Sequence, residues 1–247
     1  MVAIKQTIVL ITGGNGGIGF ELAAQLLSDA SKYVLLGSRS LEKGNAAVEN
    51  LRSRKLPGTV DLVQVDVADE TSIATAAKDV ESKYGRIDAL VNNAAVAVVH
   101  GSLANQLNES FKVNATGPAV MVEAFEPLLK KSIFTPRIIN VTSGAGSIAI
   151  RLDANTPTYS QKVVHYRASK SALNMISVCQ SVEYGPLGWK VFCYNPGYTV
   201  SNLSELNKAE LGAQPTSKGA APIVDILDGK RDGEHGRFLN PVGQLPW

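Results

Sequence analysis

No stretch of this 247-residue chain is apolar for long enough to cross a bilayer, so no membrane partner is expected. Cysteine is scarce. Cys179 and Cys193 are the only two, and their spacing fits neither a metal site nor a disulfide framework. Two buried thiols in a reducing compartment is the expectation they set. Histidine is nearly as rare, and neither His100 nor His165 has a carboxylate or second ligand at metal-binding spacing, so no metal is expected. Charge of one sign is not in excess either. Lys and Arg number 24 against 22 Asp and Glu, a formal +2 that argues against nucleic acid or an anionic membrane as partner. Pro/Gly/Ser-rich linkers and composition breaks are missing too, which leaves one domain over 1–247. The apolar run Ile8, Val9, Leu10, Ile11 leads into Thr12-Gly13-Gly14 and not into a small-residue cleavage site. It reads as a buried first strand, not a signal peptide, and makes the cytoplasm the expected location.

What is present is alternation. With 45% hydrophobic and 19% charged residues, the composition is that of an ordinary globular enzyme. Strand patterns fall at 6–12, 32–37, 60–66, 87–92, 136–142, 189–195 and 236–239, and helical patterns near 17–28, 41–54, 70–84, 107–131, 161–184 and 217–228. Strands interleaved with helices predict an α/β, doubly wound parallel sheet of about seven strands, a Rossmann fold, with helices on both faces. The least regular segments, 143–160 and 198–216, are the expected active-site loops.

Three stretches carry chemistry. The turn Thr12-Gly13-Gly14-Asn15-Gly16-Gly17-Ile18-Gly19 joins the first strand to an amphipathic helix, the context a dinucleotide turn requires. Gly13 permits the tight turn, Gly17 lets backbone approach a pyrophosphate, and Gly19 lets helix pack on strand. Exposed amides at that helix start favour a phosphate. The second strand then ends in Ser38-Arg39-Ser40 with no Asp or Glu between Tyr33 and Leu41. An acid there would accept from the ribose of NAD, whereas Arg39 suits the 2′-phosphate of NADP; taken alone, Arg39 also reads as a solvated loop charge. Finally, Tyr166 and Lys170 are four residues apart in a helical segment and so share a face. A nearby ammonium favours the phenolate, and predicts a tyrosine able to exchange a proton near neutral pH.

In order along the chain stand TGGNGGIG at 12–19, Asp66-Val67, Asn92-Asn93-Ala94-Ala95, Asn114 in Phe-Lys-Val-Asn, Ser143 in Val-Thr-Ser-Gly, Tyr166 with Lys170, and Pro196-Gly197. By that series the chain resembles the short-chain dehydrogenase/reductase family over nearly its full length. The resemblance implies a catalytic tetrad of Asn114, Ser143, Tyr166 and Lys170. In it Tyr166 is the general acid in reduction, Lys170 lowers its pKa and bonds the nicotinamide ribose, Ser143 polarises the carbonyl, and Asn114 helps hold a water relay to Lys170. It also implies NADP(H) contacts from Gly13, Asn15, Gly17, Ile18, Gly19, Ser38 and Arg39. Asp66 and Val67 fall near the adenine, Asn92 and Ala94 along the adenosine, and Pro196, Gly197 and Ser201 near the nicotinamide. Without the other motifs, Ser143 and Asn114 would read as polar groups bonding backbone.

Two departures stand out. Ala95 replaces the usual glycine of the Asn-Asn-Ala-Gly motif, and the stretch between Ser143 and Tyr166 is longer than in the commonest members, around Arg151 to Pro157. Monomeric carbonyl reductases of the family carry an insertion at this place, and their tails resemble the stretch from Lys218 to Trp247. A monomer or homodimer is therefore expected over a tetramer, with the insertion as a wall of the substrate pocket. Tyr159 reads as a loop aromatic or a pocket residue. The function implied is NADPH-dependent reduction of a ketone, aldehyde or quinone-like carbonyl, a small-molecule substrate. The same site run as an alcohol dehydrogenase, or a non-catalytic NADP(H) sensor or scaffold, is the alternative.

Overall fold

The structure is a computed structural model and describes residues 4–247. The chain runs β1 (Thr7–Ile11), α1 (Gly17–Leu27), β2 (Lys32–Ser38), α2 (Leu41–Ser53), β3 (Thr59–Gln64), α3 (Glu70–Tyr84) and β4 (Ala89–Asn92). It continues with α4 (Leu103–Phe111), a π-helical turn (Lys112–Thr116), α5 (Gly117–Leu129), β5 (Arg137–Val141), α6 (Ile148–Leu152), α7 (Val164–Tyr184), β6 (Lys190–Tyr194), α8 (Thr216–Leu227), β7 (Phe238–Asn240) and β8 (Gly243–Gln244). The strands form one sheet in the order β3-β2-β1-β4-β5-β6-β7-β8. Every pairing is parallel except β7 with β8. Strand order reverses between β1 and β4, and the crevice at such a switch point is where α/β sheets bind ligands.

Alternation along β1 splits the core into two layers. Val9 and Ile11 face a cluster with Leu22 and Leu26 of α1, Val48 of α2 and Ile223 of α8. Ile8 and Leu10 face the other, with Ile73 and Val80 of α3 and Met121 and Phe125 of α5. A period of two on a sheet covered on both sides gives the unbroken apolar strand seen in the sequence.

The parallel sheet of seven strands is present as expected, with a short eighth strand added, and other expectations need correction. The added β8 is two residues long and is held by a turn in which the Asn240 side chain accepts from the N–H groups of Val242 (3.0 Å) and Gly243 (2.7 Å). The helix expected over 107–131 starts earlier, at Leu103, where Ser102 caps it, and is interrupted by the π turn. Pro118 lacks the N–H that would close an α-helical turn on the Asn114 carbonyl, and Gly117 presses so closely on Val67 that a Cβ would lie 2.4 Å from its carbonyl oxygen. Segment 143–160 holds only a 3₁₀ turn (Gly144–Gly146) and the five-residue α6, in keeping with its low regularity. Cys179 is exposed and only Cys193 is buried.

Candidate active site

The glycine-rich turn is held by a staple that the sequence reading did not find. Thr12 Oγ1 accepts from the N–H groups of Asn93 (3.0 Å) and Ala94 (3.1 Å), and Asn93 Nδ2 donates back to the carbonyls of Thr12 (2.9 Å) and Gly13 (3.2 Å). Gly13 and Gly17 lie in the left-handed region, at φ 64° and 54°. A Cβ on Gly19 would stand 2.5 Å from Asn93 Nδ2 and 2.7 Å from the Gly13 carbonyl oxygen, so this position does require glycine. Gly16 begins α1 without a side-chain cap, unlike Ser40 before α2, Asp69 before α3 and Ser102 before α4. The first amides of α1 are left for an anion, and bare glycine backbone leaves the approach open, so the turn fits a pyrophosphate. Asn15 and Ile18 lie in this same turn and first helical residues.

At the end of β2, Arg39 is exposed, and no hydrogen bond or ion pair holds its guanidinium among the described residues. Ser38 differs from expectation. It is buried, and its hydroxyl donates to the Ser40 carbonyl at 2.9 Å, so it serves the turn and is not presented to a ligand. Asn92 ends β4, and its buried amide donates to Asn140 Oδ1 at 2.8 Å, within a network that continues from Asn140 to Ser177 (2.8 Å) and Gln180 (2.9 Å) on α7. That side chain helps join strand to helix, while its Oδ1 is buried without a partner among the described residues. Asp66 accepts from the Ala68 N–H at 3.0 Å, which fixes the turn after β3 beside buried Val67.

The four tetrad positions come from separate elements. Ser143 lies just past β5 and starts the 3₁₀ turn, its hydroxyl accepting from the Ala145 N–H at 3.1 Å. Its own proton remains free to be donated. Tyr166 sits in the first turn of α7, close to the Ser143 hydroxyl. Lys170 is one turn on, buried, its ammonium 5.9 Å from the centre of the Tyr166 ring and donating to the Val141 carbonyl at 3.0 Å. Asn114 is fully buried in the π turn. Its side chain clamps Val96, accepting from the N–H (2.9 Å) and donating to the carbonyl (2.8 Å), and donates to Ser169 Oγ at 3.0 Å. Both polar atoms of its side chain are thus engaged on protein, and Pro118, four residues on, offers the Asn114 carbonyl no N–H.

The electrostatics reverse one expectation. Burial pushes the Tyr166 phenol up, and the Ser143 hydrogen bond only partly offsets this. Burial also pushes the Lys170 ammonium down to about 8, with Cys193 opposing the fall. Desolvation is the largest influence on both groups, and the Lys170 ammonium is turned toward the Val141 carbonyl.

The loop after β5 is locked onto α7. A Cβ on Gly146 would lie 2.7 Å from the backbone carbon of Lys170. The Gly146 carbonyl accepts from Ser171 Oγ (2.8 Å) and Asn174 Nδ2 (3.3 Å). The tail secures the same loop, with Ser147 Oγ donating to the Pro246 carbonyl at 2.8 Å and the Ala149 N–H to that of Trp247 at 2.9 Å. Pro196 accepts from Gln214 Nε2 at 2.7 Å, Gly197 turns with φ 79°, and Ser201 lies against the glycine turn, its Cβ 3.5 Å from where a Cβ on Gly17 would be. His165 is buried, with Nδ1 2.8 Å from Ser110 Oγ, and joins α7 to α4. Tyr159 is exposed under the Arg151 guanidinium, 5.2 Å from its ring centre. Hollows of about 240 and 380 Å³ lie elsewhere, beside Leu51 and Val60 and between α5 and α7, and are lined by none of the sequence-predicted site residues.

A glycine turn at the switch point and a Ser–Tyr–Lys cluster at the ends of β5 and α7 define a dinucleotide-using α/β oxidoreductase. The family profile described as short chain dehydrogenase matches residues 7–211, and the chain belongs to that family. Its members are oxidoreductases that use NAD(P)(H). Similar proteins include the short-chain dehydrogenase anuI of Penicillium roqueforti, 38% identical over 91% of this chain and 89% of the relative. The short-chain dehydrogenase/reductase tropE of Talaromyces stipitatus is 32% identical over 99% of both. Among solved structures, the NADPH-bound carbonyl reductase from chicken fatty liver superposes with a TM-score of 0.83 over 100% of both chains at 27% identity. Among the described residues no helix is long and apolar enough to cross a membrane.

Proposed function

We propose that this protein is an NADPH-dependent reductase of ketones, aldehydes or quinone-like carbonyls. The observation that carries the reading is Ser143: its hydroxyl accepts from the Ala145 N–H and stands beside the Tyr166 phenol, one helical turn from Lys170. When bound, the dinucleotide supplies a hydride to the carbonyl carbon. Gly13, Asn15, Gly17, Ile18 and Gly19 would cradle its pyrophosphate, Arg39 its 2′-phosphate, Asp66, Val67 and Ala94 the adenosine side, and Pro196, Gly197 and Ser201 the nicotinamide side.

Ser143 donates to the substrate oxygen and holds it for the reaction. Tyr166 transfers its phenolic proton to the alkoxide as charge develops there. A phenol raised by burial stays protonated at neutral pH, which suits an acid. Lys170 stabilises the phenolate left behind, and the Asn114 carbonyl holds a water through which the proton is replaced. The resemblance to an NADPH-bound carbonyl reductase and the acid-free end of β2 support the cofactor choice. A monomer or homodimer in the cytoplasm is part of the same reading.

Oxidation of NADPH, with NADH in parallel, against aromatic ketones, quinones, aldehydes and steroids tests it. The expected result is turnover with NADPH and little with NADH. Arg39→Asp should lower kcat/KM for NADPH by about tenfold or more, the size of a lost charged hydrogen bond. Equal efficiency with NADH would remove the Arg39 assignment. Silence across the panel with demonstrable NADPH binding would favour the non-catalytic sensor.

A further inference from the structure

Arg167 directly follows the tyrosine, and the chemistry above gives it no task. It is 9% exposed. Nη2 donates to the Thr158 carbonyl at 2.8 Å and Nη1 makes a longer contact, 3.4 Å, with the Ala145 carbonyl. Nε is buried with no partner, and no carboxylate forms an ion pair with the guanidinium, among the described residues. Burial, aided by the positive charge of Arg151, shifts the guanidinium's equilibrium toward the neutral form. A buried cation without a counter-ion opposes folding, and an apolar side chain of similar length would fill the space without that cost. What an arginine adds is a rigid fork that can reach two carbonyls on different segments.

Those two carbonyls bracket the longer stretch between Ser143 and Tyr166. Ala145 is the more telling contact, because its N–H donates to the Ser143 hydroxyl at 3.1 Å. One residue is thus gripped through its carbonyl by Arg167 and itself fixes the serine through its N–H. We infer that Arg167 is a positioning residue: by holding the Ala145 and Thr158 carbonyls it aims the Ser143 hydroxyl and keeps the inserted segment in place as a wall of the substrate cleft. Its effect on turnover rests on the reductase reading, whereas the brace itself does not.

The test compares the full-length protein with its Arg167→Met and Arg167→Lys variants, by amide hydrogen exchange without cofactor and by steady-state kinetics with NADPH. For Arg167→Met, amides over residues 145–159 should exchange faster, and Tm should hold or rise because the unpaired charge is gone. kcat should fall by about 10- to 100-fold, the effect of a misplaced reacting group, while the KM for NADPH stays within about twofold. Arg167→Lys, with its charge but only one contact, should lie between Met and wild type. Unchanged exchange over 145–159 would overturn the brace. Faster exchange with undiminished kcat, or a kcat loss matched by losses of Tm and NADPH affinity, would reduce Arg167 to a packing residue. If wild type reduces no carbonyl, the reductase reading fails, and the exchange experiment still upholds or overturns the brace.

Discussion

The two ends of the candidate crevice are built by opposite means. At the nucleotide end, between β1 and β4, backbone does nearly everything: glycines adopt the turn, and Thr12 and Asn93 return their hydrogen bonds to main-chain groups. At the end proposed for the substrate, side chains on loops line the opening. Ile148, Leu152, Tyr159, Tyr198 and Leu206 all stand exposed on the segments beyond β5 and β6. A backbone device tolerates little change and can be read from a short motif. Side chains set on loops leave the fold intact when they change, so the motif says little about what they recognise.

The largest expected effect separates the two ends completely. Tyr166→Phe should lower kcat by about 10²- to 10⁴-fold, the usual contribution of a positioned acid, with NADPH binding retained in a fluorescence titration. A variant that also lost NADPH would show that the ends are not independent.

Gly19→Ala should do the reverse. Its Cβ meets the Asn93 amide and the Gly13 carbonyl, neither of which can withdraw without opening the staple. A cost of about 1–3 kcal/mol, typical of overpacking, should appear as weaker NADPH binding and a lower Tm. Wild-type affinity in this variant would mean that the turn has slack the geometry does not suggest.

The smallest effect is a pH dependence. The buried Lys170 ammonium, pushed down to about 8 from 10.5, loses its charge as pH rises through about 8. Reduction should therefore stand at about half its plateau at that pH, the midpoint of one titrating group, and keep falling above it. Stability should move the other way. Between about 8 and 10.5 the unfolded lysine binds the proton more fully than the folded one, so the cost of burying the ammonium fades and stability rises with pH. A flat rate profile measured from pH 7 to 9.5 would take Lys170 out of the proton step.

Legibility divided along the same line. The doubly wound sheet was readable because buried parallel strands and amphipathic helices each impose a period on the sequence. Arg137–Val141 and Lys190–Tyr194 fall inside the expected ranges for that reason. β8 escaped because two residues have no period, and the π turn because its cause, Pro118 four residues past Asn114, acts on one carbonyl and leaves the helical apolar pattern intact. The convergence of Ser143, Tyr166 and Lys170 was legible from motif order. The inward turn of Asn92, the burial of Ser38 and the Thr12–Asn93 staple were not, since each depends on which neighbour a polar group meets across the sheet. The direction of the Tyr166 shift was missed for a related reason: spacing reports a nearby lysine but not how much water the fold has removed.

Gly146, pressed against the backbone of Lys170, has an evolutionary consequence. A larger residue there would push the serine-bearing loop and the lysine-bearing helix apart, so the two cannot drift separately. From Ser147 onward the chain turns outward and shows Ile148 and Leu152 to solvent. If the proposed reaction holds, descendants of this sequence could exchange one substrate for another by rewriting the segment beyond Gly146 while Ser143, Tyr166 and Lys170 stay in place.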